Sequence, residues 1–174
     1  MTELIRELLS PYYIYIKFIH LFFVMMWSWS TTVAYLWFAK VAYLKWKKDP
    51  ENGELVRRRN WAFEQFDRGA VIEHTAFPII MITGPLLYWL GNWSMDANWL
   101  MVKLSIVLLL FIPIEIADYY LSHFGGNKYA IRKSNQPEKY ERFIHIHWRF
   151  FQLTTPIIQY SVPTVLFLAI VKPF

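Results

Sequence analysis

This sequence predicts an all-α bundle of four membrane-spanning helices with both termini on the outer side. Three observations carry that prediction. Of the 174 residues, 56% are hydrophobic, 20% aromatic and only 18% charged, a balance far more apolar than that of ordinary soluble domains. The apolar residues gather into four runs, each long enough to cross a hydrocarbon core of about 30 Å as a helix. Lysine and arginine concentrate in two loops, as expected of segments retained in the cytoplasm. With no cysteine, disulfides, thiolate metal ligands, iron–sulfur clusters and thiol nucleophiles are excluded. The net charge of +5 is accounted for by basic loops beside anionic lipid, so no nucleic-acid partner is expected. The whole chain reads as one integral membrane domain of an inner (cell) membrane, with membrane lipid as its first partner.

Residues 1–10 form an amphipathic lead-in, with Leu4, Ile5, Leu8 and Leu9 on one helical face. Pro11 suits the first turn of a new helix, and the first span is expected over 12–40. Trp27, Trp29 and Trp37 give it a bulky face, and Ser28, Ser30, Thr31 and Thr32 a small polar one, a pairing used where membrane helices pack. The first basic loop, 41–68, carries Lys45, Lys47, Lys48, Arg57, Arg58, Arg59 and Arg68 around a turn at Asp49-Pro50-Glu51-Asn52-Gly53. From Glu54 onward the sequence is helix-compatible and leads into the second span, 69–90, where Pro78 and Gly84-Pro85 are kink candidates. The connection 91–98 is short and nearly uncharged, is bounded by Trp89, Trp93 and Trp99, and belongs on the outer side. The third span is expected over 99–121. The second basic loop, 122–142, contains Gly125-Gly126, Lys128, Arg132, Lys133, Lys139 and Arg142. The fourth span, 143–171, begins near Tyr140 and contains Pro156 and Pro163.

Levelling the outer ends at Tyr12, Leu90, Trp99 and Lys172, with about 1.5 Å of rise per residue, puts His20 about 12 Å down and Lys103 about 6 Å down. These two form an outer candidate site under a tryptophan rim. His74 and Glu115 both fall about 24 Å down, with Glu73 and Asp118 within one turn of them. Glu115, Asp118 and Ser122 recur at i, i+3 and i+7, so one helix face presents them, and Gln152 is expected to join them from the fourth span. Facing lipid, these groups would be costly, whereas facing one another they form an inner site for proton transfer or a metal ion. Carboxylate and imidazole ligands suit iron, manganese or zinc. His20 and His74 differ by about 12 Å in depth, too much for both to be axial ligands of one haem.

Plainer readings stand beside these. His20 could simply be hydrogen-bonded to a serine or a carbonyl, Lys103 could snorkel to the interface, and the inner acids could form a structural network in a solvated vestibule. His145-Ile146-His147 resembles a chelate, but alternate residues of a helix diverge, so the pair reads as an interfacial anchor. Arg57-Arg58-Arg59 reads as topology and headgroup binding. No phosphate loop, serine triad or zinc-protease motif is present.

Some sparse features resemble a known family. Ile19-His20 with Trp27 seven residues on, Trp99-Leu100-Met101-Val102-Lys103-Leu104, and the close from Val162-Pro163-Thr164 to Ala169-Ile170-Val171-Lys172-Pro173-Phe174 resemble the HemJ-type protoporphyrinogen oxidases. Those are small membrane proteins that bind haem b. More distantly, the architecture is similar to CopD-like copper-resistance membrane proteins. The resemblance implies a haem-associated oxidoreductase or electron-transfer protein in which His20 ligates haem iron and Trp27 walls the pocket. Lys103 would be the paired basic residue, steering a propionate or an anionic substrate. The chain departs from the family where Tyr35-Leu36-Trp37-Phe38-Ala39-Lys40-Val41 replaces a Leu-Pro-Arg segment followed by histidine. It departs again where Glu115, Asp118, Tyr119 and Tyr120 replace histidine and tyrosine.

The expected site is therefore His20, Trp27 and Lys103 for cofactor binding, and His20, Glu73, His74, Glu115 and Asp118 as metal ligands. Lys103, Glu115 and Asp118 are the expected catalytic groups. Haem b or a non-haem metal is the expected cofactor, with a porphyrin or quinone-like ligand and a homo-oligomer or larger membrane complex as further partners. The alternatives are a CopD-like metal or proton carrier and a cofactor-free accessory subunit.

Overall fold

In a computed structural model, which describes residues 2–173, the described residues are helical throughout apart from short turns, and they include no strand. Four helical runs are long and apolar enough to cross a membrane, as the hydropathy pattern requires. The first run is longer than expected. Helix α1 (Thr2–Leu9) continues through a 3₁₀ turn at Ser10–Tyr12 into α2 (Tyr13–Ala34), a π turn at Tyr35–Ala39 and α3 (Lys40–Lys48). The lead-in is amphipathic as the sequence requires, with Leu4 and Leu8 exposed on its apolar side. The second run, α4 (Gly53–Leu90), absorbs half of the first basic loop and continues helical through Pro78 and Pro85. Its start is capped by Asn52, whose side chain accepts the backbone N–H groups of Glu54 and Leu55, two of the donors that a helix N-terminus leaves unpaired.

The third run divides into α5 (Asn98–Ile106), a π turn at Val107–Phe111 and α6 (Ile112–His123). The physical cause lies in the sequence: Pro113 has no N–H to give to the carbonyl four residues earlier, and the helix widens just before it. A π turn carries an extra residue and rotates the residues after it by about 100° relative to those before it. Glu115 and Asp118 both lie after it, so their common face is preserved. A short α7 (Lys128–Lys133) sits in the second basic loop, and α8 (Pro137–Val171) starts six residues before the expected span.

Helix α2 packs most extensively on α4. His20 meets Thr83 near the end of α4, and the Lys172 ammonium lies 4.3 Å from the ring centre of Trp93 and 5.4 Å from that of Trp99. The start of α2, the 91–97 turn and the end of α8 therefore share one end of the bundle. At the other end Arg59 stacks on Trp46 and pairs with Glu141 at 2.5 Å, while Arg132 pairs with Glu64 at 2.7 Å, so the two basic loops interlock. Phe174, the last residue of the closing motif, lies outside the described residues, as does Met1.

The core is aromatic and concentrated toward the basic end, where Tyr35, Tyr43, Phe63, Phe66, Phe143, Trp148 and Phe151 pack together. Gly126 closes the turn beneath it, and a Cβ there would stand 2.8 Å from both the α-carbon and the carbonyl oxygen of Leu121. Backbone atoms cannot swing aside as a side chain would. Gly126→Ala is therefore expected to cost roughly 1–3 kcal/mol, read as a lowered unfolding midpoint in detergent.

Candidate metal centre

Two helices supply the inner residues and two others, α2 and α8, orient them. Glu73 and His74 come from α4, Glu115 and Asp118 from α6, and all four are buried. Ligand atoms of Glu73, His74 and Glu115 lie within 4.8 Å of one another, so this buried Glu-His-Glu group could hold a metal ion. Asp118 stands beside them, its Oδ2 3.4 Å from His74 Nε2, while Glu115 Oε1 lies 4.0 Å from the same nitrogen.

The second polar atom of each residue is equally informative. Trp27 Nε1–H, from α2, donates to Glu115 Oε2 at 2.8 Å. Asp118 Oδ1 receives His147 Nε2 at 3.2 Å and the Ser122 hydroxyl at 3.4 Å. His74 Nδ1 meets His123 Nε2 at 2.7 Å. Each of these three residues is thus held through one atom and left free at the other. Among the described residues, five buried side-chain atoms have no hydrogen-bond partner, and four of them are Glu73 Oε2, His74 Nε2, Glu115 Oε1 and Asp118 Oδ2. Buried polar atoms are rarely left unpaired; three of these four belong to the Glu73, His74 and Glu115 group that could hold an ion, and the fourth, Asp118 Oδ2, borders it. The fifth, Thr31 Oγ1, lies one turn past Trp27 on the same face of the first helical run.

Behind Asp118 the polar chain continues. Lys128, fully buried at the start of α7, donates its ammonium to Asp67 Oδ1 at 2.8 Å, to the Leu121 carbonyl at 3.1 Å and to His147 Nδ1. An ammonium has three hydrogens, and all three are used. Because His147 Nδ1 faces that cation, it accepts, and Nε2 must carry the proton given to Asp118. Asp67 Oδ2 receives the backbone N–H of Lys128 at 2.8 Å.

Residue counting levels Glu73, His74, Glu115 and Asp118 at one depth, and the structure brings them together. It adds Asp67, Lys128, His123 and His147, which the sequence pattern does not assign to this network. His147, expected as an interfacial anchor, is instead completely buried. A signal for this exists in the sequence, because Phe143, Ile144 and Phe151 at i−4, i−3 and i+4 place it on the apolar stripe of α8. His145 and His147 do diverge, His145 turning away to the Tyr43 hydroxyl at 2.9 Å. Gln152, expected in the inner site, points out of the bundle, because it lies on the opposite side of α8 from the stripe carrying His147.

At the outer site His20 is half-buried, and its Nδ1 lies 2.8 Å from Thr83 Oγ1. The Thr83 hydroxyl proton is already given to the Ile79 carbonyl at 2.7 Å, so His20 Nδ1–H donates and Nε2 keeps its lone pair. Lys103 is close enough for its charge to act on this imidazole. Trp27, two turns further along, packs between Phe77 and Phe111 with ring centres at 5.5 and 4.9 Å, at the level of Glu115 rather than of His20.

No family model, no curated protein and no solved structure matches this chain.

The Lys128 pair gives a direct test of how the inner half is held. Lys128→Met leaves Asp67 buried without its cation and is expected to destabilise by about 3–5 kcal/mol. The double variant Lys128→Met/Asp67→Leu removes both charges and is expected to recover most of that loss. Urea or thermal unfolding of the detergent-solubilised variants reads both.

Proposed function

We propose that this chain is a membrane metalloprotein of the oxidoreductase or electron-transfer class. Its centre is a divalent transition metal held by Glu73, His74, Glu115 and Asp118. The observation that carries this reading is the buried Glu73, His74 and Glu115 group, with ligand atoms within 4.8 Å of one another and Asp118 beside it, each residue having one atom without a hydrogen-bond partner. Three carboxylates and an imidazole match the preference of iron, manganese or zinc for oxygen and nitrogen donors. The engaged second atoms supply the outer-sphere hydrogen bonds that orient metal ligands, from Trp27 to Glu115, from His147 to Asp118 and between His123 and His74. Iron or manganese, when bound there, supplies a one-electron couple. The protein residues fix the ligands, exclude lipid and balance charge.

A second site at His20 is the reading that the HemJ-type resemblance supports, with haem b as the cofactor. It is favoured by the tautomer that Thr83 imposes, because an Nδ1–H donor and a free Nε2 are what a haem-ligating imidazole needs. Lys103 is then placed to pair with a propionate or an anionic substrate. The basic loops lie in the cytoplasm by the positive-inside rule, which puts the metal centre in the inner half of the cell membrane and His20 in the outer half. A CopD-like carrier would share the inner centre without redox turnover.

Elemental analysis of detergent-purified protein is expected to find about one equivalent of iron, manganese or zinc, which is lost in Glu115→Ala and His74→Ala. Trp27→Phe, which keeps the ring and removes the hydrogen bond, is expected to weaken retention about 10–100-fold. Wild-type protein prepared without chelators but free of transition metal would refute the inner centre. Absorption spectra test the second site separately: a Soret band is expected that disappears in His20→Ala and survives in Glu115→Ala.

A further inference from the structure

Gln152 is turned out of the bundle, and it is not alone on that face. Two consecutive seven-residue units of α8 carry the same signature, Gln152-Leu153-Thr154-Thr155-Pro156-Ile157-Ile158 and Gln159-Tyr160-Ser161-Val162-Pro163-Thr164-Val165. Each opens on an exposed glutamine and has an exposed proline four residues on, while the residue just before that proline, Thr155 or Val162, is buried. Seven residues make nearly two helical turns. The two glutamines and two prolines therefore form one outward stripe, with the glutamines about 10.5 Å apart along the axis.

The prolines add a second set of polar groups to this stripe. A proline has no N–H for the carbonyl four residues earlier, so Pro156 deprives the Gln152 carbonyl of its helical donor, and Pro163 that of Gln159. Each unit thus presents an amide side chain and a freed backbone carbonyl on the side that faces lipid. Over the span 143–171, Gln152 lies about 13 Å from the inner end and Gln159 about 18 Å from the outer end. Acyl chains at those depths offer neither a donor nor an acceptor, and in membranes such groups are satisfied by a neighbouring helix.

The neighbour must supply hydrogen-bonding groups at two depths about 10.5 Å apart. A second copy of this chain does so by construction. Copies inserted with the same topology carry the same residues at the same depths, and a two-fold axis along the membrane normal brings like surfaces together. A glutamine amide both donates and accepts, so each glutamine is complementary to its own counterpart, and the freed carbonyls take the remaining N–H groups. Polar residues repeated at heptad spacing are also how parallel helices fix their register. We propose that two copies of this chain associate through parallel α8 helices, the Gln152 and Gln159 amides of each copy hydrogen-bonding with their counterparts in the other.

Because the chain has no cysteine, a single introduced thiol reports the contact without background. Ile170 lies one heptad beyond Pro163 on the same stripe. Ile14, on the first helical run, is as exposed, at 75% against 72%, and both stand about 3 Å from the outer end. Mild oxidation of the full chain in native membranes is expected to give a disulfide-linked dimer of Ile170→Cys and to leave Ile14→Cys monomeric. Sedimentation equilibrium in detergent is expected to give a two-chain mass for the wild type. The dissociation constant should rise about tenfold in Gln152→Leu/Gln159→Leu, with circular dichroism unchanged because both side chains lie outside the packed bundle. Four results would overturn the proposal: a one-chain mass for the wild type, a glutamine-free variant that associates as tightly as the wild type, Ile14→Cys linking as readily as Ile170→Cys, or a different polypeptide linked at Ile170→Cys in place of a second copy.

Discussion

A lysine ammonium sealed from solvent must recover its lost hydration from fixed acceptors, and the inner half of this bundle is built to supply Lys128 with them. Asp67 comes from α4, the Leu121 carbonyl from α6 and the His147 imidazole from α8. One side chain from a loop thereby ties three membrane helices together and holds the second basic loop up against them. The consequence reaches the candidate metal centre. Because Lys128 occupies His147 Nδ1, the Nε2 proton points at Asp118 Oδ1 and leaves Oδ2 turned inward. The geometry of a carboxylate in the centre is set by a cation two side chains away.

The opposite flank is fixed by different means. The hydroxyls of Ser28, Ser30 and Thr32 fold back onto their own helix carbonyls, which satisfies them without a partner helix and permits the close packing of α2 against α4. Trp27 is the exception. Its indole is the one long polar reach from the first helical run into the centre, and it occupies the Glu115 oxygen that faces away from the other ligands. Phe77 and Phe111 clamp its ring, so an aromatic contact that contributes to stability also aims a hydrogen bond. The same first helical run whose apolar stretch is left uncovered by the rest of the chain thus contributes an orienting group.

Much of this is legible in the sequence because it follows from local periodicity. The apolar runs mark four spans, the i, i+3 spacing of Glu115 and Asp118 places them on one face, and counting residues levels them with His74. The parts that resist reading depend on chain return. Lys128 and Asp67 are 61 residues apart, and each looks like an ordinary loop charge until α7 folds back under the bundle. His147 is masked by its neighbour His145, since the conspicuous pair suggests chelation and obscures the apolar stripe that buries only one of them. Depth alone puts Gln152 in the inner site, and helical phase turns it outward. The π turn before Pro113 has a sequence signal in the missing N–H, whereas the one at Tyr35–Ala39 has none, because no proline or glycine lies within it.

The distribution of charge leaves the inner acids without a lysine or arginine partner among the described residues. Around the inner half, fixed cations are assigned one to one: Lys128 to Asp67, Arg132 to Glu64 and Arg59 to Glu141. Glu73, Glu115 and Asp118 receive none, and among the described residues the only basic groups within ion-pair distance of the last two are His74 and His147. His147 has both nitrogens engaged, one of them by the Lys128 ammonium, and His74 presents an unoccupied nitrogen to two of the acids. Glu115 and Asp118, in a region of low polarity, therefore share the His74 imidazole, and Asp118 has His147 as well. Removing charge from one or two of them by protonation would ease the repulsion but would not by itself give the four inward-facing atoms a common partner. A divalent ion bound there, as proposed, would do both at once, since it would neutralise the acids and take both carboxylate oxygen and imidazole nitrogen as ligands. On that proposal the outer hydrogen bonds from Trp27, His147 and His123 keep each ligand's free atom turned toward the ion.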